Sequence, residues 1–184
     1  MAIENFLYII IFIYGIVIGS FLNVCIYRIP KKESVVMVNS HCMNCGHKLA
    51  WYDLFPLFSY LFLKGRCRYC GSKLSYQYPL IEVLNGILYL VVFGVNGMNV
   101  ESVLYALLTS ALLTLSVIDY RTLEIPVKIN AVILGIGVVH IIFDLENWIH
   151  YLIGFFSASL FLFLCLILTR GKGIGGGDIK LMAV

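Results

Sequence analysis

The sequence predicts an all-α polytopic membrane protein with a metal-binding loop between its first two membrane helices. Three observations predict it. Of 184 residues, 61% are hydrophobic and 12% charged, with mean hydropathy +0.94, which is too apolar for a soluble domain of this size. The apolar residues fall in runs close to the roughly 20 that a helix needs to cross a bilayer. A polar stretch after the first run carries four of the six cysteines, as two Cys-x-x-Cys pairs. We count five full spans, Phe6–Tyr27, Pro79–Val95, Val100–Ile118, Ile129–Phe143 and Trp148–Thr169, with Ile179–Val184 as the start of a sixth.

The first span has no basic residue before it and is too long for a cleaved signal, so it reads as a retained helix. Gly15-x-x-x-Gly19, followed by Ser20 and Asn23, has the small-residue spacing that lets helices approach closely. Helix packing is the expected role; the alternative for Asn23, near the inner end of the span, is to line a site, which the sequence does not specify.

The loop from Arg28 to Tyr78 contains an internal repeat. Cys42-Met-Asn-Cys45-Gly46-His47-Lys48-Leu49 returns as Cys67-Arg-Tyr-Cys70-Gly71-Ser72-Lys73-Leu74. Two such turns, each with glycine after its second cysteine, suit a closed tetrahedral thiolate shell around zinc, with Cys42, Cys45, Cys67 and Cys70 as ligands. Four thiolates leave no open position, so the metal is structural. His41 and His47 flank only one knuckle and read as solvated loop residues. Cys25 and Cys165 lie within spans and read as packing residues. Between the knuckles, Trp51 to Leu63 is aromatic and too short to span. It either presses the loop onto the membrane boundary or forms the loop's own small core.

Pro79 opens the second span, where its missing N–H costs nothing. Glu82, one turn in, is either a first-turn carboxylate favoured by the helix dipole or a functional group within the membrane. The third span ends at Ile118-Asp119-Tyr120-Arg121, and Pro126 marks a short turn before the fourth. The fourth is short and needs a thinned bilayer or protein neighbours. The fifth leads into Gly171-Lys172-Gly173-Ile174-Gly175-Gly176-Gly177-Asp178.

Charge orients these spans. With the N-terminus outside, all 13 lysines and arginines fall in segments on the inner side, while Glu4, Glu101, Asp144 and Glu146 lie outside. That is the positive-inside pattern. It explains the net charge of +3 without nucleic-acid binding, and it puts the knuckles, Asp119 and Asp178 on the cytoplasmic face of the cell membrane. Two aspartates at one membrane face are the parts of an aspartyl protease. Gly175, Gly176 and Gly177 would let an extended substrate approach backbone to backbone, or else serve as a flexible link.

These residues carry a family likeness. Gly19-Ser20-Phe21-Leu22-Asn23 through Arg28-Ile29-Pro30, the paired knuckles with Gly65-Arg66-Cys67-Arg68-Tyr69-Cys70, Tyr78-Pro79-Leu80-Ile81-Glu82, and Gly175-Gly176-Gly177-Asp178-Ile179-Lys180 occur in order over nearly the whole chain. The chain resembles the type IV prepilin peptidases, bifunctional membrane enzymes that cut prepilin leaders and N-methylate the new terminus. The resemblance implies that Asp119 and Asp178 are the catalytic pair and that prepilins or pseudopilins are the substrates. It also implies methyl transfer from S-adenosylmethionine, associated with the N-terminal region. Residues 1–95 would then be the methyltransferase-associated part and residues 96–184 the peptidase domain. The family commonly has a second acidic residue after the Ile-Pro pair, where this chain has Val127. Family members also continue with further spans beyond the second aspartate, so the resemblance makes this chain a C-terminally truncated member. Two other classes fit the same features: an inactive homologue acting as a zinc-knuckle membrane scaffold, in which both aspartates are dispensable, and a transporter fragment, which would carry polar residues at mid-membrane depth.

Overall fold

The computed structural model describes residues 2–37, 39–168 and 181–182. Among these, the chain forms helices and short turns, in the order α1 (Ala2–Arg28), α2 (Phe58–Phe62), α3 (Gln77–Asn96), α4 (Val100–Thr122), α5 (Val127–Phe143) and α6 (Trp148–Leu168), with 3-10 turns at Trp51–Asp53 and Leu145–Asn147. Four of these helices, α1, α3, α4 and α6, are long and apolar enough to cross a membrane. The expected fourth span coincides with helix α5, which has 17 residues and a length of about 25 Å at 1.5 Å per residue, less than the roughly 30 Å of a bilayer core. The expected sixth span lies almost wholly outside the described residues.

The chain divides into two compact units, Met1–Thr114 and Leu115–Val184. In the first, α1 and α3 pack directly on each other. The Gly15-x-x-x-Gly19 pattern makes this contact. A Cβ on Gly15 would stand 2.7 Å from the Gly86 Cα, and one on Gly19 would stand 2.7 Å from the Glu82 Cα. Gly86 in turn leaves room for the ring of Phe12, which a Cβ there would meet at 2.7 Å. Polar groups then fasten the helices. Asn85, fully buried, donates to the Gly15 carbonyl at 2.7 Å, and Ser110 of α4 donates within 2.9 Å of Asn85 Oδ1. In an apolar surround such bonds have no water to compete with them. Tyr89, Val92 and Ala106 form the apolar core beside this network.

In the second unit, α4 carries Asp119 in its last turn. The helix ends at Thr122, and Leu123 turns the chain in a left-handed conformation (φ 53°) while its N–H donates to the Asp119 carbonyl at 2.8 Å. Pro126 then starts α5 as its N-cap in extended conformation.

Candidate functional site

The two knuckles fold identically because they repeat in sequence. In the first, Cys42 N–H donates to the His47 carbonyl at 2.9 Å and Gly46 N–H to the Cys42 carbonyl at 2.8 Å. In the second, Cys67 N–H donates to the Ser72 carbonyl at 2.8 Å and Gly71 N–H to the Cys67 carbonyl at 2.9 Å. Gly46 and Gly71 both sit at positive φ, 69° and 70°, where a side chain would be strained. Each knuckle closes with one antiparallel bridge, His41 to Lys48 and Arg66 to Lys73.

The four sulfurs lie within 4.8 Å of one another. A tetrahedral zinc cage with bonds of about 2.3 Å holds sulfurs about 3.8 Å apart, and Cys42 and Cys70 are already at 3.9 Å. Their acid–base chemistry fits the same ion. Hydrogen bonds from the Ser72 side chain and backbone bring the Cys70 thiol down to about 6. A hydrogen bond from the Cys45 backbone, outweighing burial, also lowers the Cys42 thiol. Cys45 goes the other way: the His47 backbone hydrogen bond favours its thiolate, but desolvation and the neighbouring Cys42 and Cys70 sulfurs push it up to about 11. Four thiolates this close repel one another, and a dication offsets that repulsion. The donor set therefore fits zinc.

A second layer supports the cage on one side. Asp53, from the 3-10 turn between the knuckles, accepts from Arg68 Nε at 2.7 Å, from the Tyr69 hydroxyl at 3.0 Å and from the Ala50 N–H at 3.2 Å. Burial alone would raise the Asp53 carboxyl, but these bonds and the Arg68 charge hold it below the usual carboxylate range. His47 stacks on Tyr69 with ring centroids 3.7 Å apart. It is exposed, as the sequence suggested, and its ring contact joins the first knuckle to the second. Neither histidine joins the sulfur cluster. The aromatic stretch is not the loop's core, because Trp51, Phe58, Leu61 and Phe62 are all exposed. Asp53 was missed in the sequence. The signal was available, a single acid in an otherwise apolar segment, but its partners lie in the second knuckle.

Asn23 and Glu82 also belong to this region. Asn23 donates to the Tyr78 carbonyl at 3.1 Å, and Glu82 Oε2 accepts from the Leu57 N–H at 2.8 Å. Both line a cavity of about 460 Å³ bounded by the inner faces of Cys42 and Cys67, the aromatic segment and the ends of α1 and α3. Glu82 is therefore a wall residue of a cavity, beyond any part it has in capping α3. Of the expected catalytic pair, Asp119 is half-buried in the last turn of α4. Asp178 and the glycines Gly175, Gly176 and Gly177 lie outside the described residues.

The sequence of this chain was compared with known proteins. The model of the bacterial peptidase A24 N-terminal domain matches residues 13–95, and that of the type IV leader peptidase family matches residues 106–184. The chain belongs to the type IV prepilin peptidase family. Curated relatives named prepilin leader peptidase/N-methyltransferase include one from Myxococcus xanthus, 34% identical over 95% of this chain and 53% of its own length. Others come from Bacillus subtilis, 34% identical over 95% of this chain and 71% of the relative, and from Vibrio cholerae, 32% identical over 96% and 76%. The chain thus spans about half the length of the Myxococcus relative. No solved structure matches it. In the terms of this family, the cysteine loop and the α1–α3 pair fall in the N-terminal domain, and Asp119 falls in the leader peptidase part.

Proposed function

We propose that this chain is a membrane aspartyl endopeptidase that removes the leaders of type IV prepilins or pseudopilins at the cytoplasmic membrane face and N-methylates the new amino end. One observation carries the reading: the leader peptidase family match covers residues 106–184, the segment that contains both Asp119 and Asp178. The one-sided distribution of basic residues supports an external N-terminus and a cytoplasmic loop. The exposed aromatic face of Trp51 to Phe62 suits the lipid headgroup boundary on that side.

The chemistry follows from two carboxylates held close together. They cannot both ionise cheaply, so one keeps a proton and the pair titrates as a unit. The ionised member takes a proton from water as it attacks the scissile carbonyl. The protonated member donates to the oxygen or the leaving amine. Gly175 to Gly177 let the extended substrate backbone come close to Asp178. Cys42, Cys45, Cys67 and Cys70 would hold zinc, which fixes the loop and takes no part in cleavage. The methyl group would come from S-adenosylmethionine, and the N-terminal region, residues 1–95, would place it.

Co-expression with a prepilin tests the reading by the gel mobility of the processed substrate. Asp119→Asn and Asp178→Asn should each lower cleavage by about 1,000-fold or more, and the double variant should be little worse, because residues acting as a unit are non-additive. Cleavage near the unmutated rate in either single variant would remove the dyad and favour the scaffold.

A further inference from the structure

The cavity beneath the knuckles holds a buried carboxylate that neither the metal cage nor the aspartate pair uses. Glu82 is 5% exposed. Its carboxylate offers about four acceptor positions. The Leu57 N–H takes one, and the Ser20 side chain takes another. Leu57 makes its bond from a positive-φ conformation (φ 58°, ψ −51°), which a leucine adopts only at a cost in strain.

The other charges on the wall are largely spoken for. Arg68 is paired with Asp53, and the Arg28 guanidinium donates to the Ser34 and Asn39 carbonyls. Lys73 lines the rim of the same cavity through the second knuckle. Among the described residues Glu82 itself meets no lysine or arginine. A buried carboxylate without a counter-ion either takes up a proton or is stabilised by a charged partner that comes to it. An ionisable residue inside a membrane helix that faces a cavity marks a ligand path. The remaining wall is largely apolar, with Val24, Leu54 and Leu63 on it, and the volume of about 460 Å³ lies in the range of ligand sites.

We propose that the Glu82 cavity binds the free α-ammonium group of an apolar peptide end. Glu82 takes the charge, Asn23 Oδ1, which already accepts from Gln77 Nε2 at 3.4 Å, has a second acceptor position on the wall, and the apolar residues receive the first side chain. The inference rests on the proposed function only for the origin of that peptide end: cutting a leader creates a free amino end, and a methyltransferase must then hold it.

The test is equilibrium binding to the zinc-loaded full chain in lipid nanodiscs. The probes are a leucine–alanine tetrapeptide amide with a free amino end and its N-acetylated twin. The free amine should bind about tenfold or more tightly than the acetylated form, the scale of one lost charged contact. Glu82→Gln, which keeps an acceptor for the Leu57 N–H, should lose the same factor while retaining zinc and helix content. Equal binding of the two peptides to the unmutated chain overturns the proposal. So does a zinc-loaded Glu82→Gln that binds the free peptide undiminished. If that variant does not fold, the acetyl comparison decides alone. S-adenosylmethionine binding that depends on Glu82, with no binding of the peptide, also overturns it and gives the cavity to the sulfonium donor. Peptide binding by a preparation that transfers no methyl group upholds the site and counts only against the proposed reaction.

Discussion

Between Arg28 and Gln77 the chain holds its shape with few buried apolar side chains, chiefly those of Cys42 and Cys67. The helices on either side of that loop do the opposite: α1 and α3 meet along glycines and are fastened by buried amides and hydroxyls. The loop is exposed to water, so hydrophobic burial is scarce, and the sulfur cluster and the Arg68–Asp53 ion pair take its place. The helices lie where apolar contact gives no preference for a neighbour over lipid, so close backbone approach and hydrogen bonds decide which helix meets which. The difference teaches that the two regions should fail separately.

Metal removal should have the largest effect. Structural zinc contributes about 10–16 kcal/mol of apparent binding free energy in small knuckle peptides at neutral pH. Purified protein should carry one zinc, and Cys42→Ser and Cys67→Ser should lose it equally. Elemental analysis reads the metal, near-ultraviolet circular dichroism should report a collapsed loop, and far-ultraviolet signal should report helices that persist. Loss of the helices together with zinc would break the comparison.

The next effect belongs to the helices. Gly19→Leu puts a branched side chain where even a Cβ would lie 2.7 Å from the Glu82 Cα. It should lower the thermal midpoint by about 5 °C or more while one zinc stays bound. A variant that releases zinc as readily as the cysteine changes would show that the helix pair holds the loop.

A smaller effect separates the knuckles from each other. Arg68 and Met43 occupy equivalent places in the repeat, but only Arg68 reaches Asp53. Arg68→Met should speed zinc release to a chelator by about tenfold, the low end for partners beyond the ligand shell. Met43→Ala should leave the rate unchanged. Equal rates in the two variants would mean that the Asp53 contact does not support the cage.

What could be read in advance follows the same division. The knuckles were legible because the ligand chemistry repeats over a few consecutive residues, Cys42 to Leu49 and Cys67 to Leu74. The α1–α3 contact was half legible: Gly15 and Gly19 announce a close approach, but nothing local names Gly86 and Glu82 as what they approach. Asp53 and Glu82 were the hardest to place. The role of each is set by a partner far along the chain, Arg68 for one and Leu57 for the other, and no spacing rule connects them. The helix expected as the fourth span, Ile129–Phe143, coincides with α5, which is shorter than the four helices long enough to cross a membrane. Asp119 is visible by position alone. The proposed pairing with Asp178, which lies outside the described residues, would join distant segments, and neither periodicity nor charge can specify that.

The sulfur cluster also bears on how the first helices find each other. From Ile29 to Tyr76 the connection is long, and the entropy lost on bringing the ends of such a loop together rises with its length. Once Cys42, Cys45, Cys67 and Cys70 share one ion, the whole stretch between the knuckles drops out of that count. Only the arms Ile29–His41 and Gly71–Tyr76 remain to be closed. Metal uptake would thus raise the effective concentration of α3 at the surface of α1, which makes it an early step in assembly rather than a late reinforcement of a finished fold.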